Sequence, residues 1–238
     1  MVAGESEDRR LDLTEMGIWR KRVNIRFGGA VEEVVMQTLG DKTEAIEHGH
    51  RAMRAKLLEY RQGSEAWQAL GEALLLLKPT ELAGFVAEGE RGTLAEQLKR
   101  ELPDPVIPRR DIGAGETEEA FARRQAEHLR RCEEQRENRA AELERRLARR
   151  REELASRPQA ELVELAQPRR VDLECWQAFQ RACDDWILLR ATRRAEAPEQ
   201  PYFRDIEQVR NLHPRVKEQL RQAYRALDRG EEEDLPNS

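Results

Sequence analysis

Three cysteines in 238 residues, Cys132, Cys175 and Cys183, are too few and odd in number to staple a chain of this size. That excludes a disulfide-framed secreted domain and points to reduced thiols in the cytoplasm. Long hydrophobic runs are missing too. The longest purely apolar stretch is Ala73 to Leu77, far below the ~20 residues that span a bilayer, so no membrane partner is expected. The first ten residues carry Glu5, Glu7, Asp8 and Arg9 where a signal peptide would place its apolar core. Excess charge of one sign is also absent. Lys+Arg is 42 and Asp+Glu 47, a net −5, which gives no general pull toward nucleic acid or anionic lipid. Lysine is nearly lacking. Only 6 of those 42 cations are Lys, leaving 42 − 6 = 36 Arg, a bias that suits bidentate pairing with carboxylates or reflects a GC-rich coding sequence. What remains is a chain with 37% charged residues, well above the roughly 25% of a typical soluble domain. Its core must therefore coexist with a large solvated surface.

The predicted fold is mainly α with a small N-terminal β-hairpin: a helical bundle plus one long charged helix, elongated. Residues 1–21 have no period and read as a flexible start. Arg22 to Phe27 then alternates polar and apolar, setting Val23, Ile25 and Phe27 on one strand face. Gly28-Gly29 reads as a turn, and Val31 to Thr38 supplies a β-branched second strand. No further glycines, lysine or helix start follow at once, so the pair is not a phosphate cradle. Helical signals come next. Asp41 and Thr43 precede Ala45, Ile46, Gly49, Ala52, Met53, Leu57 and Tyr60, spaced by threes and fours. Ser64 caps a helix carrying Trp67, Leu70, Leu74 and Leu77; Pro79 opens another through Leu82, Phe85 and Val86. Gly89 and Gly92 end that one, and Thr93 caps a fourth through Leu98 to Leu102. Residues 22–102 read as one compact unit, and 103–115, with three prolines before Gly113 and Gly115, as a linker.

Residues 116–157 hold no Pro and no Gly and are rich in Ala, Glu, Leu, Gln and Arg, so they read as one long helix. Glu119/Arg123, Glu127/Arg131, Glu142/Arg146 and Glu153/Arg157 are acid-to-base pairs four apart, each worth ~0.2–0.5 kcal/mol to an isolated helix. A coiled-coil seam through Ala122, Ala126, Leu129, Ala140, Leu143, Leu147 and Leu154 is interrupted by Glu133, Arg136 and Arg150. The stretch reads as a largely solvated helix whose ends pack. In the 158–229 module Pro158 and Pro168 bracket a short helix. An amphipathic helix follows over 171–195, with Leu173, Trp176, Phe179, Cys183, Trp186 and Leu189 on one face. Beyond a proline loop come Tyr202-Phe203, a short helix from Asp205 to Leu212, and a Pro214-initiated helix with Leu220 and Tyr224. Residues 230–238 form an acidic tail.

Chemistry is hard to find in this pattern. His128 and Cys132 lie four apart, half of a zinc site, but no second pair and no C-x-x-C accompany them; His48 and His50 read as surface residues. Cys175 and Cys183 lack a neighbouring base, and Asp184-Asp185 reads as a solvated edge rather than paired catalytic carboxylates. No metal, cofactor or catalytic residue is expected, and the protein is read as not an enzyme. The residues expected at a protein interface are Val23, Ile25 and Phe27 on the hairpin, Trp176, Phe179, Trp186 and Leu189 on the amphipathic helix, and Tyr202, Phe203, Leu220 and Tyr224 beyond it. The alternative is that hairpin and helix faces are buried internally. A homo-oligomer is the expected assembly. Nucleic-acid binding through Arg123-Arg124, Arg130-Arg131 and Arg149-Arg150-Arg151 is the competing reading, disfavoured because twelve Arg face eleven Glu in that helix.

One further pattern stands out. The strand Val23 to Phe27 with its Gly-Gly turn, Trp186 to Thr192, Pro201-Tyr-Phe203, Ile206 to Leu212 and the closing Leu220 to Leu227 form one layout around a helical body. It resembles the small helical tail-assembly chaperones and related tail proteins of long-tailed bacteriophages, over about the last 55 residues and the first strand. The resemblance implies a non-catalytic protein that coats the hydrophobic tape-measure protein and assists tail-tube polymerisation, in the host cytoplasm or as part of the virion.

Overall fold

The computed structural model describes residues 19–27, 30–109 and 117–229. The expected flexible start, the Gly28-Gly29 turn, the two linker glycines and the acidic tail lie outside the described residues. The chain is mainly helical with one small antiparallel sheet, and it divides into two units. One comprises the residues up to Leu58 together with those from Glu174 onward; the other is Glu59–Leu173.

The first unit is built on strands β1 (Arg20–Phe27), β2 (Ala30–Gln37) and β3 (Thr192–Arg194), in the order β1-β2-β3. The hairpin expected from alternation forms with Val23 opposite Val34 and Ile25 opposite Glu32. The third strand was not expected. Thr192-Arg-Arg reads locally as more helix, but it pairs with Val34 to Met36, and Tyr202 N–H returns to the Thr192 carbonyl at 3.0 Å. That added strand explains why β2 is exposed over its first half and buried over its second. Helix α1 (Thr43–Glu59) follows the hairpin, and the part of α6 (Gln159–Ala191) from Glu174 onward belongs to this unit. Helix α7 (Ile206–Arg210) is capped by Asp205, whose carboxylate accepts from Gln208 N–H, and α8 (Pro214–Asp228) starts on proline as expected. The core joins Ile25, Val34 and Met36 of the sheet to Leu188, Phe203, Val209 and Leu220.

The second unit holds α2 (Glu65–Leu75), α3 (Pro79–Gly89), α4 (Arg91–Glu101), α5 (Glu118–Ala155) and α6 as far as Leu173. Ser64 caps α2 by accepting from Trp67 N–H at 3.1 Å. Thr93 is not the cap of α4: the helix begins at Arg91, so Gly92 and Thr93 lie in its first turn. Leu74, Leu82, Val86, Leu154, Leu162 and Ala166 form the core.

Three expectations about organisation change here. Residues 22–102 do not act as one unit, because α2 to α4 pack with α5 and the start of α6 while the hairpin and α1 belong to the other unit. Pro168 does not end a helix either; it lies inside α6. Proline removes the bond to the carbonyl of Glu164, but anchors on both sides hold the helix in line. Val163 and Ala166 are buried, Gln167 Nε2 donates to the Trp67 carbonyl at 2.5 Å, and Arg169 donates to the Val86 carbonyl. The long charged helix forms as one element whose C-terminal end packs as expected, but its first half is not bare. Leu147 and Leu154 are fully buried, and residues 103–109 run back beside its first half. Gln135 Nε2 donates to the Pro103 carbonyl at 3.1 Å, Arg139 pairs with Asp104, and Arg124 donates to the Arg109 carbonyl at 3.1 Å.

Candidate interaction surface

Most of the residues expected to meet a partner are used inside the first unit. Ile25, Trp186, Phe203, Leu220 and Tyr224 are buried. Val23, Leu189 and Tyr202 are half-buried against the same core. All but Trp186 belong to the core that joins the hairpin and α8 to α6, and Trp186 lies against His48 of α1, which corrects the expectation that these eight are open to a partner. The Phe27 side chain lies outside the described residues. Two candidates remain accessible, Trp176 at 52% exposure and the half-buried Phe179. Their rings stack at 5.2 Å and 9°, a favourable offset arrangement for aromatic pairs. His50 of α1 meets the Phe179 ring edge-on at 5.1 Å.

The close approach of α1 and α6 depends on Gly49. A Cβ there would lie 2.5 Å from Cys183 Sγ and 2.7 Å from the Phe179 ring. Cys183 donates its S–H to the Ala45 carbonyl at 3.2 Å, and burial pushes its thiol up from the usual range. A protonated, hydrogen-bonded thiol is a packing group rather than a nucleophile. Beside this contact α1 exposes a second stripe of the same series of threes and fours. Ile46 is 48% and Leu57 47% exposed, with exposed His50 and half-buried Met53 between them. The spacing of threes and fours was visible in the sequence, but it fits two adjacent stripes. Burial of Ala45 and Gly49 selects the other one as the face toward α6.

Many titratable groups among the described residues are engaged in ion pairs. Asp184-Asp185 is not a solvated edge. Asp185 is buried and paired with Lys217 at 2.9 Å, while Arg221 Nε stands 3.0 Å from Asp184. Burial pushes the Asp184 carboxyl up, against the pull of Arg221. An open cleft of about 510 Å³ is lined by Glu32, Glu33, Arg194, Tyr202, Arg204 and Gln208 among others. Burial and the nearby Glu32 push the Tyr202 phenol up to about 12, so it is a neutral hydroxyl at physiological pH. Cys132 Sγ lies 3.5 Å from His128 Nε2, yet no group of three or more potential metal ligands assembles among the described residues. No helix among them is long and apolar enough to cross a membrane.

Two of the arginine runs of α5, Arg130-Arg131 and Arg149-Arg150-Arg151, are matched by carboxylates. Arg146 pairs with Glu101 at 2.6 Å and Glu142 at 3.2 Å. Arg150 and Arg169 hold Glu90 at 2.8 and 3.0 Å, and Arg151 reaches Glu88 at 3.2 Å. Hydrogen bonds from Arg150 keep the Glu90 carboxyl below the usual carboxylate range despite its partial burial. Arg130 and Arg131 pair with Glu134 and Glu127 on their own helix.

No protein-family model matches the chain, and neither a curated protein nor a solved structure matches it.

Proposed function

We propose that this chain is a non-enzymatic assembly protein of a long-tailed bacteriophage, of the tail-assembly chaperone kind, which binds an extended helical polypeptide in the host cytoplasm. One observation carries the reading. The segments that bear the resemblance lie at opposite ends of the chain, yet they share a single core, in which Ile25 of β1 packs with Leu188, Phe203, Val209 and Leu220. A chance likeness of scattered short motifs does not require them to fold together. The charged helix α5, which is no part of the resemblance, belongs to the other unit. The many ion pairs among the titratable groups and the exposed Trp176 stacked on Phe179 agree with work done by surface contact rather than by chemistry.

The test is co-expression with the long helical tape-measure-type protein encoded in the same genome, followed by affinity capture and size-exclusion with light scattering. A soluble complex of fixed stoichiometry is expected. If the long protein is equally insoluble with and without this chain, or elutes apart from it, the reading fails.

A further inference from the structure

We propose that the exposed stripe of α1 is a self-complementary seam on which a second copy of this chain packs antiparallel. At 100° per residue, Ile46, His50, Met53 and Leu57 fall within an arc of about 60°. They run for three turns on the side of α1 adjoining the Trp176–Phe179 pair. Ile46, Leu57 and Trp176 each keep about half their surface in water. A single exposed apolar residue is unremarkable; here Ile46 and Leu57 end a row whose middle is the exposed His50 and the half-buried Met53, with the exposed Trp176 beside it.

The occupant follows from the symmetry of the row. Its spacings are four, three and four, which read the same in both directions. A two-fold axis at the level between Arg51 and Ala52 therefore sets Ile46 opposite Leu57 of the second copy, and His50 opposite its Met53. An isologous interface needs this property, since each residue pair must occur twice. Charge obeys the same symmetry. Glu47 and Arg54 flank the row on one side, and across the two-fold each comes within about 3 Å, along the helix axis, of the level of its opposite in the second copy. Within the chain Glu47 makes only a loose, exposed contact with Arg51 at 3.5 Å. A parallel or unrelated helix would gain no such doubled match. On the other flank the aromatic pair of each copy extends the seam. The surface is small for an obligate dimer and suits a reversible one.

Sedimentation velocity of the full chain across about 1–100 µM tests this, in the range where small interfaces dissociate. The wild type is expected to pass from monomer to dimer. Leu57→Glu, at an exposed position, weakens the dimer by at least about a hundredfold by placing a charge in the seam. Arg54→Glu weakens it about tenfold through two lost pairs and two new repulsions. The double variant Glu47→Arg with Arg54→Glu restores affinity to near wild type, which a merely misfolded variant cannot do. A wild-type monomer at every concentration overturns the proposal. So does a dimer that Leu57→Glu leaves unchanged, or a failure of the charge swap to rescue. A monomer whose complex with a co-expressed helical partner is lost in Leu57→Glu overturns self-pairing and gives the stripe to that partner. The proposal stands independently of the phage reading, whose co-expression test is read separately.

Discussion

Replacing Gly49 by alanine sets two effects of opposite sign against each other, and the packing of the first unit decides between them. Alanine in a helix interior is favoured over glycine by about 0.8–1 kcal/mol. Its Cβ, however, would meet Cys183 Sγ at 2.5 Å and the Phe179 ring at 2.7 Å, both well inside van der Waals contact. Neither neighbour yields freely. The thiol is tied to the Ala45 carbonyl, and the phenyl ring is held between the stacked Trp176 and the edge of His50. Overpacking of this kind costs about 1–3 kcal/mol, so Gly49→Ala should destabilise by about 1 kcal/mol net. Gly84 of α3 provides the control, because a Cβ there meets nothing within 4 Å. Gly84→Ala should therefore stabilise its own unit by about 0.8 kcal/mol. Urea unfolding followed by circular dichroism at 222 nm and by tryptophan fluorescence measures both. Cys183→Ala in the Gly49→Ala background should recover part of the loss by removing one of the two obstacles. If Gly49→Ala stabilises as Gly84→Ala does, α1 and α6 do not approach as closely as described, and the reasoning about that contact is wrong.

Leu220→Ala, in the fully buried core of the first unit, should cost about 2–5 kcal/mol, measured by the same denaturation. Ser64→Ala should cost about 1 kcal/mol through loss of the α2 cap. Glu90→Gln should destabilise the second unit by about 1–2 kcal/mol, since it leaves Arg150 and Arg169 half-buried without their shared carboxylate. Its pH behaviour gives a second readout. The folded value lies below the ordinary 4.5, so the Glu90 contribution is whole above that value and is lost as the pH falls through the lower one. Stability measured from pH 6 downward should therefore fall less steeply in Glu90→Gln than in the wild type. Tyr202 acts in the opposite direction. With its phenol pushed from 10.0 up to about 12, its contribution is complete below pH 10 and lost between about 10 and 12, and Tyr202→Phe should remove that alkaline loss.

Most helix starts were legible at once, Thr93 of α4 excepted. Ser64, Pro79, Asp205 and Pro214 act on the backbone within three residues of themselves, so a window of sequence contains the whole cause. The long helix over Glu118–Ala155 was legible because 38 residues rich in good helix formers, without Pro or Gly, leave the chain no alternative. The alternation of Val23 and Ile25 likewise fixed which face of β1 turns inward, a property of the pleat alone. The candidate contact residues were legible only as apolar faces. Nothing local says whether a face such as that of Trp186 and Leu220 meets a partner or another segment of the same chain.

Composition and local pattern, then, determined a mainly helical chain with one hairpin, its helix starts and the set of side chains able to leave water. The tertiary structure alone decided what those side chains meet. Thr192–Arg194 becomes a strand only because β2, far upstream in sequence, presents Val34 to Met36 for it to pair with. Pro168 stays in a helix only because Gln167 and Arg169 are anchored to α2 and α3. Gly49 selects which of two equivalent stripes of α1 faces α6 and leaves Ile46 and Leu57 outside. Each of these outcomes depends on groups distant in sequence, where the energy of a contact outweighs the small local preference that a short window can reveal.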